Sequence, residues 1–252
     1  MSAPFVCVIG TSEPWNAAGL GRDLLTLAEC GARGVCVACG VSAQDGAGAF
    51  ALHEVASDLI EAQFDALGVA PIAAFKVGAL ASAATIAAVG RRLQAPGVPV
   101  VYDPVLATSA GGRFAREDAL PAILRDLVPR STLVTPNARE AGELLGAPVQ
   151  TVRQMEEAAR ALVALGAAAA LVTGGDLVGD EVTDVLYDGE TLVYRQPRVA
   201  GGMRGTGCML SAAIAAALAG GAPLRTAVEG GRAFVRAKLE RAVAAGGMRL
   251  AD

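Results

Sequence analysis

The sequence predicts an α/β fold: a mostly parallel central sheet with helices on both faces and an antiparallel hairpin at one edge. Short β-branched runs alternate with longer helical patterns along the chain. The runs are apolar almost throughout, as strands covered on both faces are, instead of alternating with polar residues. Late in the chain, VTDVLYDGETLVYRQ breaks the alternation with two strands turning at Asp188-Gly189, a hairpin dipeptide.

The elements follow in order. PFVCVIG, residues 4–10, is a first strand, and GLGRDLLTLAECG a helix ending near Gly31 with Leu20, Leu24, Leu27 and Ala28 on one face. GVCVACGV is a second strand, a helix follows around Ser57–Leu67, and AAFKVG is a third strand. SAATIAAVGRRL is a helix that Ser82 can cap. VPVVYDP, STLVTPN and AALVTGG are the next three strands. The apolar stretch from Ala161 to Gly175 is broken by Gly166 and short for a membrane span, so it reads as a helix end followed by a buried strand. Helices from Gly207 to about Leu218 and from Pro223 to about Ala244 close the chain. With no linker, low-complexity tract or internal repeat, residues 1–252 read as one domain.

Composition narrows the function. A chain of 252 residues that is 53% hydrophobic can bury a large core. A net charge of −4 without a dense Lys/Arg run argues against nucleic acid or an anionic membrane as partner. The five cysteines (Cys7, Cys30, Cys36, Cys39 and Cys208) form no disulfide framework, which fits a reducing cytoplasm. The N-terminal MSAPFVCVIGTSEP does not read as a signal peptide. Cys36 and Cys39 have redox-pair spacing, but positions three apart on a strand face opposite sides, so they read as two core thiols. The single histidine, His53, leaves little for a Ser-His-Asp triad or a zinc site and reads as structural.

Ligands in open parallel sheets bind beyond the strand carboxyl ends, so the loops there hold the candidate residues. GGMRGTGCMLSAAIAAALAGG, residues 201–221, puts Gly205, Thr206, Gly207 and Cys208 at a helix mouth. Unpaired N–H groups and a partial positive charge there can bind an anion, and glycine lets the backbone approach it. A turn that merely packs tightly is the competing reading. A thiol at a helix N-terminus has a lowered pKa and can act as a base, whereas the common fate of a free cysteine is a small buried hydrophobe. Asp103 ends a buried strand before Pro104 and either holds magnesium or turns the chain. Asn137 and Glu140 stand three apart at a helix start, either facing the site together or forming a cap with a first-turn acid.

These pieces resemble the ribokinase-like superfamily, and within it the hydroxymethylpyrimidine/phosphomethylpyrimidine kinases of thiamine biosynthesis. The resemblance runs through GTSEPWNAAGLGRDLLTLAECGARGVCVACGVSAQD, FKVGALAS, DPVLATSAGG, TPNAREAGELLG and RGTGCMLSAAIAAAL, nearly the whole chain. It implies a three-layer fold, ATP and Mg2+ as cofactors, and a homodimer. It implies that Gly205, Thr206, Gly207 and Cys208 hold the transferring phosphoryl group, with Cys208 as base. Asp103 and Glu140 match the metal-side acids; Gly10, Ala18, Asp23, Gln44, Ala79 and Val105 match the substrate pocket; Thr173, Gly174, Arg204 and Arg232 fall on the nucleotide side. The implied activity is ATP-dependent phosphorylation of 4-amino-5-hydroxymethyl-2-methylpyrimidine and of its monophosphate. Departures from the family pattern keep two alternatives open. The first loop is one residue longer and lacks paired glycines, Ala79 replaces a usual methionine, Thr173 a lysine, and Asp176 and Arg204 histidines. A pyridoxal/pyridoxine-type kinase and a catalytically impaired pyrimidine-binding homologue are those alternatives.

Overall fold

The computed structural model describes residues 2–45, 48–93, 97–107 and 112–252. Residues 108–111 of the motif DPVLATSAGG lie outside the described residues. Six strands pair in parallel: β1 (Phe5–Ser12), β2 (Arg33–Gln44), β4 (Ile72–Val77), β5 (Val100–Tyr102), β6 (Leu133–Val134) and β7 (Ala170–Val172). β3 (Ala49–Glu54) is antiparallel to β2, and β8 (Glu181–Tyr187) and β9 (Thr191–Pro197) form the expected hairpin beyond β7. The described sheet has nine strands in the order β3-β2-β1-β4-β5-β6-β7-β8-β9. Antiparallel pairing therefore closes both edges, not one.

Alternation along the strands sorts the core into two layers. Cys7 and Ile9 of β1 join one cluster, Val6 and Val8 the other. The first cluster also receives Ile60 of α2 (Ser57–Leu67), Ile86 of α3 (Ala83–Arg92), Ala119 of α4 (Ala119–Ala122), Ala141 of α5 (Ala138–Leu145) and Met155 of α6 (Val152–Ala164). The second receives Leu27 of α1 (Gly19–Glu29), Ile214 of α7 (Thr206–Ala219) and Val228 of α8 (Leu224–Arg241). Helix, sheet and helix thus form three layers. Residues 208–216 of α7 are all buried, which their small side chains permit between the sheet, α1 and α8.

Local signals account for several boundaries. Ser82 accepts a hydrogen bond from the Thr85 N–H and caps α3. Asn137 and Glu140 close a reciprocal capping box on α5, which ends at left-handed Gly146. Other expectations need correction. α8 stops at Arg241, short of Ala244, and β10 (Val243–Ala245) pairs with β11 (Met248–Leu250) in a second small sheet. Cys36 is exposed and only Cys39 is a core thiol, because the two do face opposite sides of β2. Ala28 is exposed on α1, where Asp23 and Thr26 are buried in addition to Leu20 and Leu27.

The parallel strands put the carboxyl ends of β1, β4, β5, β6 and β7 at one edge of the sheet. The chain turns one way from β1 to β2 and the other way to β4, so the switch point lies between β1 and β4.

Candidate active site

A cavity of about 480 Å³ opens at that edge. It gathers Gly10 near the end of β1, Ala79 after β4, Asp103 and Val105 after β5, and Thr173 after β7. Asp23 of α1, Ala18 just before it, Gln44 at the end of β2, and Glu140 of α5 complete the walls. Arg204, Gly205, Thr206, Gly207 and Cys208 line it at the mouth of α7. Two expected members stand back from it. Gly174 is not in the wall; its N–H donates to Asp184 at 3.1 Å. Arg232 is not in the wall either: its Nε donates to the same buried Asp184 at 2.8 Å and its guanidinium lies over Tyr194. It braces the β7 loop from behind.

The helix mouth has the geometry an anion needs. Gly205 is the N-cap of α7 at φ +77°, and a Cβ there would run into the Ala17 carbonyl. No side chain caps α7, so its first-turn N–H groups have no competing side-chain partner. A Cβ on Gly207 would sit 3.7 Å from the Asp103 carboxylate, so the turn and the acid are close neighbours.

Beneath the turn lies a group that the sequence pattern did not single out. Lys76, fully buried in β4, places its Nζ 2.9 Å from Asp23 and 3.8 Å from Asp103. A Cβ on Gly78 would come 2.8 Å from that Nζ, so the glycine leaves room for the ammonium. Burial alone pulls the Lys76 ammonium down, but the Asp23 and Asp103 carboxylates together hold it above its ordinary value, and it is charged. Burial pushes Asp23 up to about 6 against the pull of Lys76 and raises Asp103 as well. Ser211 of α7 donates to the same Asp103 oxygen, Oδ2, at 3.1 Å. The only sequence signal for Lys76 is a charged residue in the middle of the apolar strand FKV.

Cys208 is not the thiolate expected of a helix N-terminus. Burial pushes its thiol up to about 12, although Lys76 pulls it down and the Gly19 backbone contributes a hydrogen bond. A helix end lowers the pKa of a thiol that is partly exposed, and this sulfur is buried.

The first loop has its own anchor. Glu13, 4% exposed, accepts N–H bonds from Trp15 at 2.8 Å, from Ala17, and from Ala18 at 2.9 Å. Its carboxylate supplies the order that paired glycines do not. Trp15 is exposed and packs beside Gly246 of the C-terminal hairpin.

Glu140 lines the cavity and belongs to the capping box, so both readings of it hold. Burial, with Asp103 nearby, pushes it up to about 8 against hydrogen bonds from Asn137 and Leu106. The folded state therefore keeps a proton that the unfolded chain releases near its ordinary value of 4.5. That stabilisation is complete below the unfolded value and is lost as pH rises through about 8. Glu140→Gln keeps an acceptor for the cap and carries no charge. It is expected to raise Tm near pH 9 by at least about 2–4 °C, and to change it little near pH 5, in calorimetric scans.

Arg198 of the segment after β9 gives all its reach to one loop, donating to the carbonyls of Gly175, Leu177 and Gly179 at 2.7, 2.5 and 2.8 Å. Gly175 and Asp176 of that loop line the cavity beside Thr173.

A glycine turn free to hold phosphate, set over buried acids at the switch point of a three-layer sheet, is the apparatus of a ribokinase-like small-molecule kinase. The chain belongs to the phosphomethylpyrimidine kinase family, whose model matches residues 14–250. A hydroxymethylpyrimidine/phosphomethylpyrimidine kinase of Rhizobium meliloti is 38% identical over 93% of this chain and 90% of that protein. One from Streptomyces coelicolor is 33% identical over 98% and 93%. Among solved structures, an ADP complex of Bacillus subtilis pyridoxal kinase matches with a TM-score of 0.92, 28% identity, and coverage of 100% and 97%. A phosphomethylpyrimidine kinase of Clostridium difficile matches at 0.81 with 27% identity over 93% and 98%. The chain is thus a kinase.

Proposed function

We propose that this kinase transfers the γ-phosphoryl group of ATP to the hydroxyl of 4-amino-5-hydroxymethyl-2-methylpyrimidine, and then to the resulting monophosphate, in thiamine biosynthesis. The observation that carries the proposal is the uncapped Gly205–Cys208 turn facing Asp103 in a chain of this family. Phosphoryl transfer depends chiefly on positioning and charge neutralisation. The turn's N–H groups hold the transferring phosphoryl, Cys208 faces the acceptor hydroxyl, and Lys76 supplies buried positive charge below them.

Asp103 and Glu140 are the residues that would hold Mg2+. Both are buried oxygen donors lining the cavity, and the burial that raises their pKa values is what a bound cation would offset. Among the described residues no group of three or more His, Cys, Asp or Glu forms a full protein cage. Two carboxylates completed by water and substrate phosphates is the usual magnesium arrangement. Bound there, the ion would neutralise phosphate charge during transfer.

The nucleotide lies in this reading along the Thr173–Asp176 loop. Arg198→Ala is therefore expected to raise KM for ATP about 3- to 10-fold, with KM for the pyrimidine unchanged, in initial-rate assays. Arg232 stands outside the cavity wall and reaches the same loop through Asp184. A cytoplasmic location suits the five free cysteines, and no described helix is long and apolar enough to cross a membrane. The exposed Val41 and Leu52 near the sheet edge support a homodimer built there.

The TM-score of 0.92 to a pyridoxal kinase favours a second reading, in which a pyridine alcohol is the acceptor. The ratio of kcat/KM values for hydroxymethylpyrimidine and pyridoxine decides between them, and the first reading expects the pyrimidine to win. Absence of turnover with either would leave only a catalytically impaired binding protein.

A further inference from the structure

One side chain ties the phosphate-binding turn to the far end of the cavity. Arg204, directly before Gly205, donates its backbone N–H to the Arg249 carbonyl at 3.1 Å and lays a guanidinium nitrogen 3.5 Å from the Met248 sulfur. The same nitrogen donates to the Asp45 carbonyl, and the other Nη donates to Gln44 Oε1 at 2.9 Å. Gln44 Nε2 donates to Ser42 Oγ at 3.3 Å, and the Ser42 hydroxyl donates to the Ser12 carbonyl at 3.2 Å.

This chain of bonds has a direction. A guanidinium only donates, so the Gln44 atom facing it must be the oxygen. The Ser42 hydroxyl gives its proton to Ser12, so toward Gln44 it accepts, and the atom facing it must be the amide nitrogen. The carboxamide is fixed at both ends against a flip. Each end keeps one open position on the cavity: a second lone pair on Oε1 and a second N–H on Nε2.

We infer that Arg204 is a specificity-determining positioning residue: by locking the Gln44 carboxamide, it makes the cavity read a ring edge that offers an N–H donor beside a ring-nitrogen acceptor. The inference rests on the pyrimidine reading, whose substrate carries an amino group next to a ring nitrogen. A ring without that amino group leaves the locked oxygen unpaired and desolvated. An amide free to flip would adapt to either ring and discriminate less.

Binding, not turnover, tests this. Calorimetric titrations would use 4-amino-5-hydroxymethyl-2-methylpyrimidine and the analogue with hydrogen in place of its amino group. The proteins would be wild type, Arg204→Leu, Arg204→Lys, Gln44→Ala and the Gln44→Ala/Arg204→Leu double variant, each checked for folding by circular dichroism. Wild type is expected to prefer the amino compound by at least about tenfold. Arg204→Leu should bring the two ligands within about threefold, and the same change in the Gln44→Ala background should leave the ratio unmoved, since the two residues act as a unit. Lysine keeps the charge but cannot hold Gln44 and Asp45 with one fork, so Arg204→Lys should lower the ratio at least about threefold even if the leucine variant does not fold. Unchanged discrimination in the folded Arg204 variants, equal weakening of both ligands, or no discrimination in wild type would overturn the inference. Intact discrimination without phosphate transfer in the same preparations would sink the kinase reading and leave the role of Arg204 standing.

Discussion

Cys208→Ala is expected to lower kcat by about 10²–10⁴-fold while KM for the pyrimidine changes by less than about threefold. The split follows from where the sulfur sits. Cys208 is at the first turn of α7, buried, and beside the Gly19 backbone, and it lines the cavity without being needed to shape it. Its thiol, pushed up to about 12, is protonated in the resting enzyme. The acceptor hydroxyl therefore gives up its proton only as the phosphoryl group arrives, which a loose transition state tolerates. The sulfur can take that proton only after its own S–H proton has left to solvent, and the Lys76 ammonium beneath stabilises the thiolate so formed. As the thiol stays protonated from about pH 6 to 9, kcat/KM should show no inflection assignable to Cys208 in that window. A full-rate alanine variant in steady-state assays would remove the sulfur from the chemistry.

Lys76→Met carries the largest expected effect on stability, about 3–5 kcal/mol, because it strands two buried carboxylates. Asp23 loses more than Asp103: its Oδ1 has no hydrogen-bond partner, and Lys76 holds its Oδ2 at 2.9 Å. For a chain of this length the loss corresponds to a fall in Tm of roughly 6–20 °C in thermal melts. The pH dependence has a definite sign. Asp23 already stands at about 6, above its ordinary value of 3.8, so the folded state holds a proton that the unfolded chain has released. That contribution is full below the unfolded value and is lost as pH rises through the folded one. Without Lys76 the folded value moves higher still, and the deficit against wild type grows from about pH 5 to about pH 8. Adding Asp23→Asn to Lys76→Met removes one stranded charge and should recover part of the loss. A melt unaffected by Lys76→Met would contradict the charged triad.

The parts of this protein that are legible in its sequence are those with a local cause. The parallel strands announce themselves as continuous apolar runs, and the β8–β9 hairpin by Asp188-Gly189. Gly205 sits where only a residue without a Cβ clears the Ala17 carbonyl, and a glycine turn before a helix is visible in one dimension. What the sequence hid depends on contacts between distant segments. β3, with His53 and Glu54 in AFALHE, lacks the continuous apolar run of the parallel strands and pairs antiparallel with β2. The stretch from Ala119 to Arg130 has a local signal of its own, Leu120, Ile123, Leu124, Leu127 and Val128 at helical spacing, masked by Pro121 and Pro129, and it forms α4 and the two short helical turns after it. β10 and β11 follow Arg241 although the helical pattern runs on past it. Lys76 and Arg198 act through groups that arrive from other elements or across a loop, and nothing adjacent to them announces the partner. The correction to Cys208 has the same origin. A helix mouth is a local feature and burial is not, and burial decides the ionisation of this thiol.

The most direct test of the central claim is product analysis by mass spectrometry after incubating the purified protein with ATP, Mg2+ and 4-amino-5-hydroxymethyl-2-methylpyrimidine, with Cys208→Ala alongside. Pyrimidine mono- and diphosphate from the wild type, with the variant nearly inactive, is the predicted result. Folded wild-type protein that forms neither product, or a Cys208→Ala variant that forms both at the wild-type rate, would contradict it.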